Sequence, residues 1–237
     1  MYHSITFGNK NTWDDWFLIP TSRPVFNPPK PKTHYVDIPG ADWHLDMSES
    51  LTGEIAYEAR EGSFEFIVDN GHREWYELYS EIMEHLHGKT MIAILEDDPR
   101  HYYEGRFTVD SWDSESHNSM ITIDYSVKPY KMELLSSLDD WEWDTFNFEK
   151  GLIREYKKLT VDGYLKLTIP GTRKSVVPSF TVESGDNESI SVCFNGISYE
   201  LPDGTSKVPN IVIRGGLNIL EFRGCGTVSV EYRGGWL

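Results

Sequence analysis

Ile190-Ser191-Val192-Cys193-Phe194-Asn195-Gly196-Ile197-Ser198-Tyr199-Glu200-Leu201 holds two short apolar-alternating runs joined by Asn-Gly. Asn and Gly tolerate the positive φ of a type I′ turn, whose twist matches a pair of antiparallel strands, so 190–194 and 197–201 are expected to form a β-hairpin. The same pattern extends outward in both directions. Strand-like runs near 154–161, 164–169, 179–183, 210–213, 218–223 and 227–232 are separated by Asp162-Gly163, Gly185-Asp186, Asp203-Gly204 and Gly215-Gly216. Eight short strands with such punctuation read as a β-sandwich or jelly roll. Arg223-Gly224-Cys225-Gly226 lies between two of the runs, so it reads as a bend or bulge.

Upstream the sequence is again mostly strand-like, with runs at 4–7, 16–20, 34–38, 54–59 and 63–69, then a meander over 90–95, 102–112 and 120–127. The exception is 73–87. There Trp75, Leu78, Tyr79, Ile82, Met83 and Leu86 fall at the spacing of one buried helical stripe, with Gly88 placed to cap the C-terminus. Asn27-Pro28-Pro29-Lys30-Pro31-Lys32 favours an extended, polyproline-like chain that lacks several backbone donors. It reads either as a loop or as an arm lying on a neighbour. The segment 136–148 is acidic and aromatic, and the domain junction is placed there. This gives an N-terminal domain of residues 1–136 and a C-terminal domain of residues 137–237.

Composition narrows the function. The net charge is −16, and an acidic chain does not grip phosphate backbones by releasing counterions, so specific nucleic-acid binding is not expected. The charge is uneven: residues 1–136 carry 24 acids and 11 bases, a net of −13, and residues 137–237 carry 14 acids and 11 bases, a net of −3. Two cysteines, Cys193 and Cys225, make no disulfide framework. The first residues lack a basic stretch followed by an apolar one, so no secretory signal is expected, and no apolar run reaches the ~20 residues of a membrane span.

Signatures of catalysis are absent from the text. His85 and His87 are two apart, a spacing that puts helical residues on roughly opposite faces, so they are not expected to chelate together. His44, His101 and His117 have no neighbouring ligand pattern, and no P-loop, GxGxxG or GxSxG occurs. The acid pairs Asp14-Asp15, Asp97-Asp98 and Asp139-Asp140 are what a chain with 38 acids produces in turns, while glycoside hydrolysis needs two opposed carboxylates at a set separation. No enzyme activity, cofactor or metal is expected. Trp141, Trp143 and Trp236 are candidate contacts for a partner or a glycan, and a carbohydrate-binding module that adheres to host cell wall is the alternative reading.

A further set of residues carries a resemblance. Ile5-Thr6-Phe7-Gly8-Asn9-Lys10-Asn11-Thr12 with Asp15-Trp16, then Pro28-Pro29 through Val36-Asp37-Ile38-Pro39-Gly40, Leu45-Asp46 with Leu51-Thr52-Gly53, and Tyr57 through Arg60 with Phe64-Glu65-Phe66 resemble the distal tail proteins of long-tailed bacteriophages. Gly215-Gly216-Leu217-Asn218 and Gly224-Cys225-Gly226, leading into Val230-Glu231-Tyr232-Arg233-Gly234-Gly235, continue the resemblance to the C-terminus. It implies a mostly-β chain, with an N-terminal β-sandwich that carries one α-helix and an extended belt or arm, and a C-terminal galectin-like β-sandwich. It implies a virion protein at the tail tip, assembled in the host bacterial cytoplasm. Six copies would close a ring between the tail tube protein and the tail-associated tip protein, leave a channel for DNA, and touch receptor-binding or other baseplate proteins. A closed ring needs a head-to-tail interface, and the arm residues Asn27, Pro28, Pro29, Lys30, Pro31, Lys32, Val36 and Ile38 are the candidates for it. The acidic N-terminal half would line a conduit that repels DNA.

Overall fold

The computed structural model describes residues 2–69, 74–114, 119–139, 155–185 and 189–237. It divides into two units, one of Met1–Lys131 with Leu237 and one of Met132–Trp236. Both are built on strands, and among the described residues there is one α-helix. No described helix is long and apolar enough to cross a membrane.

The first unit contains β1 (Ile5–Phe7), β2 (Lys10–Asn11), β3 (Leu18–Pro20), β4 (Tyr35–Val36), β5 (Leu45–Asp46), β6 (Arg60–Val68), α1 (Trp75–Leu86), β7 (Lys89–Leu95), β8 (His101–Ser114) and β9 (Ser119–Val127). Seven of these strands follow one hydrogen-bonded path in the order β2-β1-β7-β8-β9-β6-β3. The path curls, and its two ends meet where Leu18 N donates to Thr12 O at 2.7 Å. Alternation decides which face is inside. On β9 the residues Ile121, Ile123, Tyr125 and Val127 are buried, while Met120 and Ser126, on the other face, are exposed. Phe7, Trp16, Phe66 and Phe107 are among the largest fully buried side chains.

α1 closes this core. Leu78, Ile82 and Leu86 are its buried stripe, at the i, i+4, i+8 spacing that keeps side chains on one face. The helix ends where Gly88, with φ +72°, turns the chain and donates its N–H to Phe107 O. His85 and His87 both serve structure, with His85 Nε2 2.9 Å from Phe7 O and His87 Nδ1 accepting from Val109 N at 3.1 Å.

A charged cluster fixes the turn between β7 and β8. Asp97 lies 2.9 Å from His3 Nδ1 and 2.8 Å from Arg23 Nε. Asp98 lies 2.6 Å from both His101 Nδ1 and Lys131 Nζ. The hydrogen bond with His101, then that with Lys131, pulls the Asp98 carboxyl down to about 2. A folded-state pKa below the ordinary 3.8 means stability that is fully present above about pH 4 and lost as pH falls toward 2. Asp98→Asn is therefore expected to cost about 2 kcal/mol at neutral pH, and to flatten the dependence of stability on pH across that window. Urea unfolding at pH 7, 4 and 3 reads both effects; an unchanged slope contradicts the assignment.

The second unit contains most of β10 (Lys131–Glu133), and β11 (Leu159–Gly171), β12 (Ser179–Ser184), β13 (Ile190–Phe194), β14 (Ile197–Leu201), β15 (Gly204–Lys207), β16 (Gly216–Glu231) and β17 (Gly235–Trp236). The Asn-Gly hairpin forms as expected. Asn195 and Gly196 take φ of +52° and +81°, and Phe194 pairs with Ile197. Met132–Glu133 closes against β17 through Glu133 N and Gly234 O. The core collects Ile169, Phe180, Val192, Ile213, Phe222, Val228 and Val230.

Several short elements differ from expectation. Residues 159–161 of the first run and the run at 164–169 lie in a single strand, β11, and the runs at 218–223 and 227–232 join in a single strand, β16. β11 and β16 pair antiparallel over thirteen residues, with Gly163 opposite Gly224. The glycines bend these strands instead of ending them. Beyond Gly224 and Gly226 the second neighbour of β16 changes from β13 to β12. A strand that changes partner at a bend is how one sheet folds over into two layers. Residues 54–59 and 210–213 are not strands and contribute only the isolated bridges Pro31↔Tyr57 and Val176↔Ile213, whereas Gly204–Lys207, expected to begin as a turn, pairs with β12.

Candidate assembly interface

Between β3 and β6 the chain leaves the core, and its point of departure is fixed by aromatic packing. Phe26 is buried, stacked on Tyr103 with ring centroids 4.0 Å apart and edge-on to Phe64 and Tyr125. Asn27 N donates to Tyr125 Oη at 2.9 Å, and Asn27 Nδ2 to Glu61 O at 2.8 Å. Arg60, at the point of return, is only 5 % exposed. Its guanidinium donates to Asn27 O (2.9 Å) and Pro129 O (2.7 Å), and its carbon lies 5.5 Å from the Tyr103 ring centroid. Burial lowers the pKa of this cation, and its Nη2 has no hydrogen-bond partner in the structure. One side chain thus pins both limbs of the excursion at their base.

From there the chain runs out and back as a ribbon. Glu58 N donates to Lys30 O, and Lys32 N to Ala56 O, each at 2.8 Å. Further out, Met47 N donates to His34 O, and β4 pairs with β5 through Tyr35↔Asp46 and Val36↔Leu45. Ile38, Pro39, Gly40 and Ala41 make the tip turn, closed by Ala41 N to Ile38 O at 3.0 Å. The prolines explain why the ladder is sparse at the base. Pro28, Pro29 and Pro31 have no N–H to give, so pairing there is limited to the Lys30 and Lys32 backbone.

The ribbon has no core beneath it. Residues 30–47 are exposed without exception. Tyr35, Val36, Ile38, Trp43, Leu45, Met47 and Leu51 all present large apolar surface, with Trp43 75 % and Leu51 98 % exposed. Two-stranded ribbons are marginal in water by themselves, and contiguous exposed apolar patches mark interaction sites. Covering a side chain of this size is worth about 1.5–3 kcal/mol. The arrangement fits a surface completed by another polypeptide.

Asn27, Pro28, Pro29, Lys30, Pro31, Lys32, Val36 and Ile38 all lie on the outgoing limb or its base. The return limb, with Trp43, Leu45, Met47 and Leu51, was missed because its acids make 41–53 read as polar. The signal was present: Trp43, Leu45 and Met47 recur at the period of 2 that marks a strand. Trp236 is exposed on β17. Trp141 and Trp143 lie outside the described residues. Among those described, no group of three or more His, Cys, Asp or Glu side chains is arranged to hold a metal ion.

No protein-family model and no curated protein matches the chain. The fold is that of a phage distal tail protein. A solved structure with the same architecture is that of SPP1 Dit (gp 19.1), which superposes with a TM-score of 0.64 at 11 % identity, over 100 % of both chains. That protein is described as a paradigm of the hub adsorption apparatus in phages that infect Gram-positive bacteria.

Proposed function

We infer that this chain is a structural virion protein of a long-tailed bacteriophage or prophage, a hub at the distal end of the tail. Six copies form a ring through head-to-tail contacts made by the ribbon. The ring joins the tail tube protein on one side to the tail-associated tip protein on the other, leaves a channel for DNA, and carries receptor-binding or other baseplate proteins. It acts by shape and association, without chemistry of its own, and assembles in the host bacterial cytoplasm before incorporation at the tail tip. The 1–136 half builds the ring, and the 137–237 half serves as an outward galectin-like sandwich.

The observation that carries this reading is the solvent-exposed apolar ribbon on a body whose whole length shares its fold with SPP1 Dit. A heterologous surface of this kind generates rings when the rotation closes. Negative-stain imaging of the purified protein, alone and mixed with its tail tube and tip proteins, is expected to show sixfold rings with a central hole. Single particles under both conditions would defeat the reading.

A further inference from the structure

The two faces of the ribbon differ in chemistry. Side chains alternate along an extended limb, and cross-strand partners share a face. With Val36 opposite Leu45 and Tyr35 opposite Asp46, one face carries Lys32, Val36, Trp43, Leu45 and Met47, and the other carries Tyr35, Asp37, His44 and Asp46. The second face satisfies its own charges: His44 Nδ1 lies 3.0 Å from Asp37 Oδ1, and Ser48 N donates to Asp46 Oδ1 at 2.9 Å. The first face does not. Its apolar side chains are exposed. The bridge Pro31↔Tyr57 sets Lys30 opposite Glu58 but Lys32 opposite Ala56, and the Lys32 ammonium has no partner among the described residues.

The outer face of the sheet in the same unit has the complementary pattern. At one end an apolar row crosses three strands in register, Ile19 beside Ile67 on β6 and Ile67 beside Met120 on β9, with Ile67 and Met120 exposed. Further along the same face of β9 stands Asp124, between Ser63 and Thr108. It lies in a hollow of about 430 Å³ that Ser63, Thr108, Ser126 and Arg106 also line. Burial, with Asp110 as a second negative charge, raises the pKa of its carboxyl. Arg106 donates to Gly88 O, and neither Asp110 nor Asp124 has a cation among the described residues. A crowded, partly desolvated carboxylate is stabilised by a cation brought to it.

The spacing of the two patterns agrees. Lys32 stands four residues from Val36, and Asp124 four residues from Met120, about 13 Å of strand in each case. When the Val36–Leu45 pair covers the Ile67–Met120 pair, the Lys32 ammonium therefore reaches the Asp124 carboxylate. Apolar surface meets apolar surface and cation meets anion, which fixes the register of a contact. The other face of the ribbon would bring Asp37 and Asp46 against Asp124 and Asp110, so only one face fits. Within one chain neither surface covers the other, since residues 30–47, Ile67 and Met120 are all exposed. Two different, complementary patches on one subunit are what a head-to-tail contact requires.

We propose that the outer face of β6 and β9 receives the ribbon of a second copy of this chain, with Val36 and Leu45 on Ile67 and Met120 and with Lys32 on Asp124. The inference rests on the ring reading and supplies the acceptor surface and register which that reading leaves unassigned.

The test uses the full-length chain, alone and with its tail tube and tip proteins. Lys32→Glu and Asp124→Lys are each expected to raise the concentration needed for assembly at least tenfold, read by light scattering. The double variant, which restores opposite charges across the contact, is expected to return it to within threefold of the wild type. Val36→Cys combined with Met120→Cys is expected to give a ladder of disulfide-linked oligomers on a non-reducing gel, while each single variant stays at the background set by Cys193 and Cys225. That second readout keeps the test valid should Asp124→Lys disturb β9. Rings indifferent to both charge reversals, a double variant that assembles no better than the single ones, or a disulfide that joins positions 36 and 120 within one chain overturns this inference and leaves the ring reading standing. Single particles under every condition defeat the ring reading and this inference together.

Discussion

Replacing residues 28–58 with a short Gly-Ser linker is expected to yield a folded chain that stays monomeric under conditions in which the intact protein is expected to close the proposed ring. The body has no need of the ribbon. Phe26 remains stacked on Tyr103, and Asn27 and Arg60 still meet at the base, with Asn27 Nδ2 on Glu61 O and Arg60 Nη1 on Asn27 O. The cut ends are therefore close enough for a few residues to span. What disappears is the apolar surface of Tyr35, Val36, Ile38, Trp43, Leu45, Met47 and Leu51. If covering it contributes even about 4 kcal/mol to each contact, its loss raises the dissociation constant roughly a thousandfold. Size-exclusion chromatography with light scattering separates the outcomes: an intact hexamer from the shortened chain would remove the ribbon from the interface. Leu51→Ser with Trp43→Ser is the milder companion, expected to weaken the ring without changing the thermal midpoint of the monomer.

The ribbon also shows where sequence reading works and where it stops. Proline placement at 28, 29 and 31 identifies an extended outgoing limb, because a missing N–H is a local property of the chain. The return limb is invisible to the same reasoning. Asp42, Asp46 and Glu49 make 41–53 look like a solvated loop, and the apolar members stand out only once the ribbon is seen to leave them exposed. The buried Arg60 is missed for a related reason. A lone arginine before a strand is ordinarily a surface residue, and its role as a pin depends on Asn27 and Pro129, which are distant in sequence.

The strand framework was more legible. Period-2 alternation identifies β6, β7, β9, β12, β13 and β14 within a few residues, and the 3.6-residue stripe identifies α1. The failures concentrate at glycine. Asp162-Gly163 has the residues of a turn, yet the strand there bends without ending, because Gly163 faces Gly224 across one ladder; Gly224-Cys225-Gly226, read as a bend or bulge between two runs, is a bend inside one strand. Whether a glycine reverses a strand or bends it is decided by what lies opposite. At the Asn195-Gly196 turn the partner strand is the next one in sequence, so local reading suffices; at Gly224 it is some sixty residues away.

Gly224→Val is the second large effect, and it follows from that seam. On β16 the inward-facing positions are Leu220 and Phe222 before the bend and Val228 and Val230 after it, all fully buried. Gly224 and Gly226 occupy the same face between them. A Cβ at Gly224 would lie 2.2 Å from Ser189 O, and at Gly226 2.6 Å from Glu183 O. Both clashes are with backbone, which cannot rotate aside. Gly224 also holds φ +123°, where a β-branched side chain is strained by its own backbone. The conformational strain costs about 1–3 kcal/mol and the overpacking a similar amount, so the variant is expected to lose about 4 kcal/mol and to unfold the second unit selectively. Amide hydrogen exchange is the measurement to make, since it reports stability region by region. Protection should fall across β12, β13 and β16 while β8 and β9 stay protected. Uniform protection equal to the wild type would mean that the strand does not fold over at Gly224, and that the two layers of this unit are joined elsewhere.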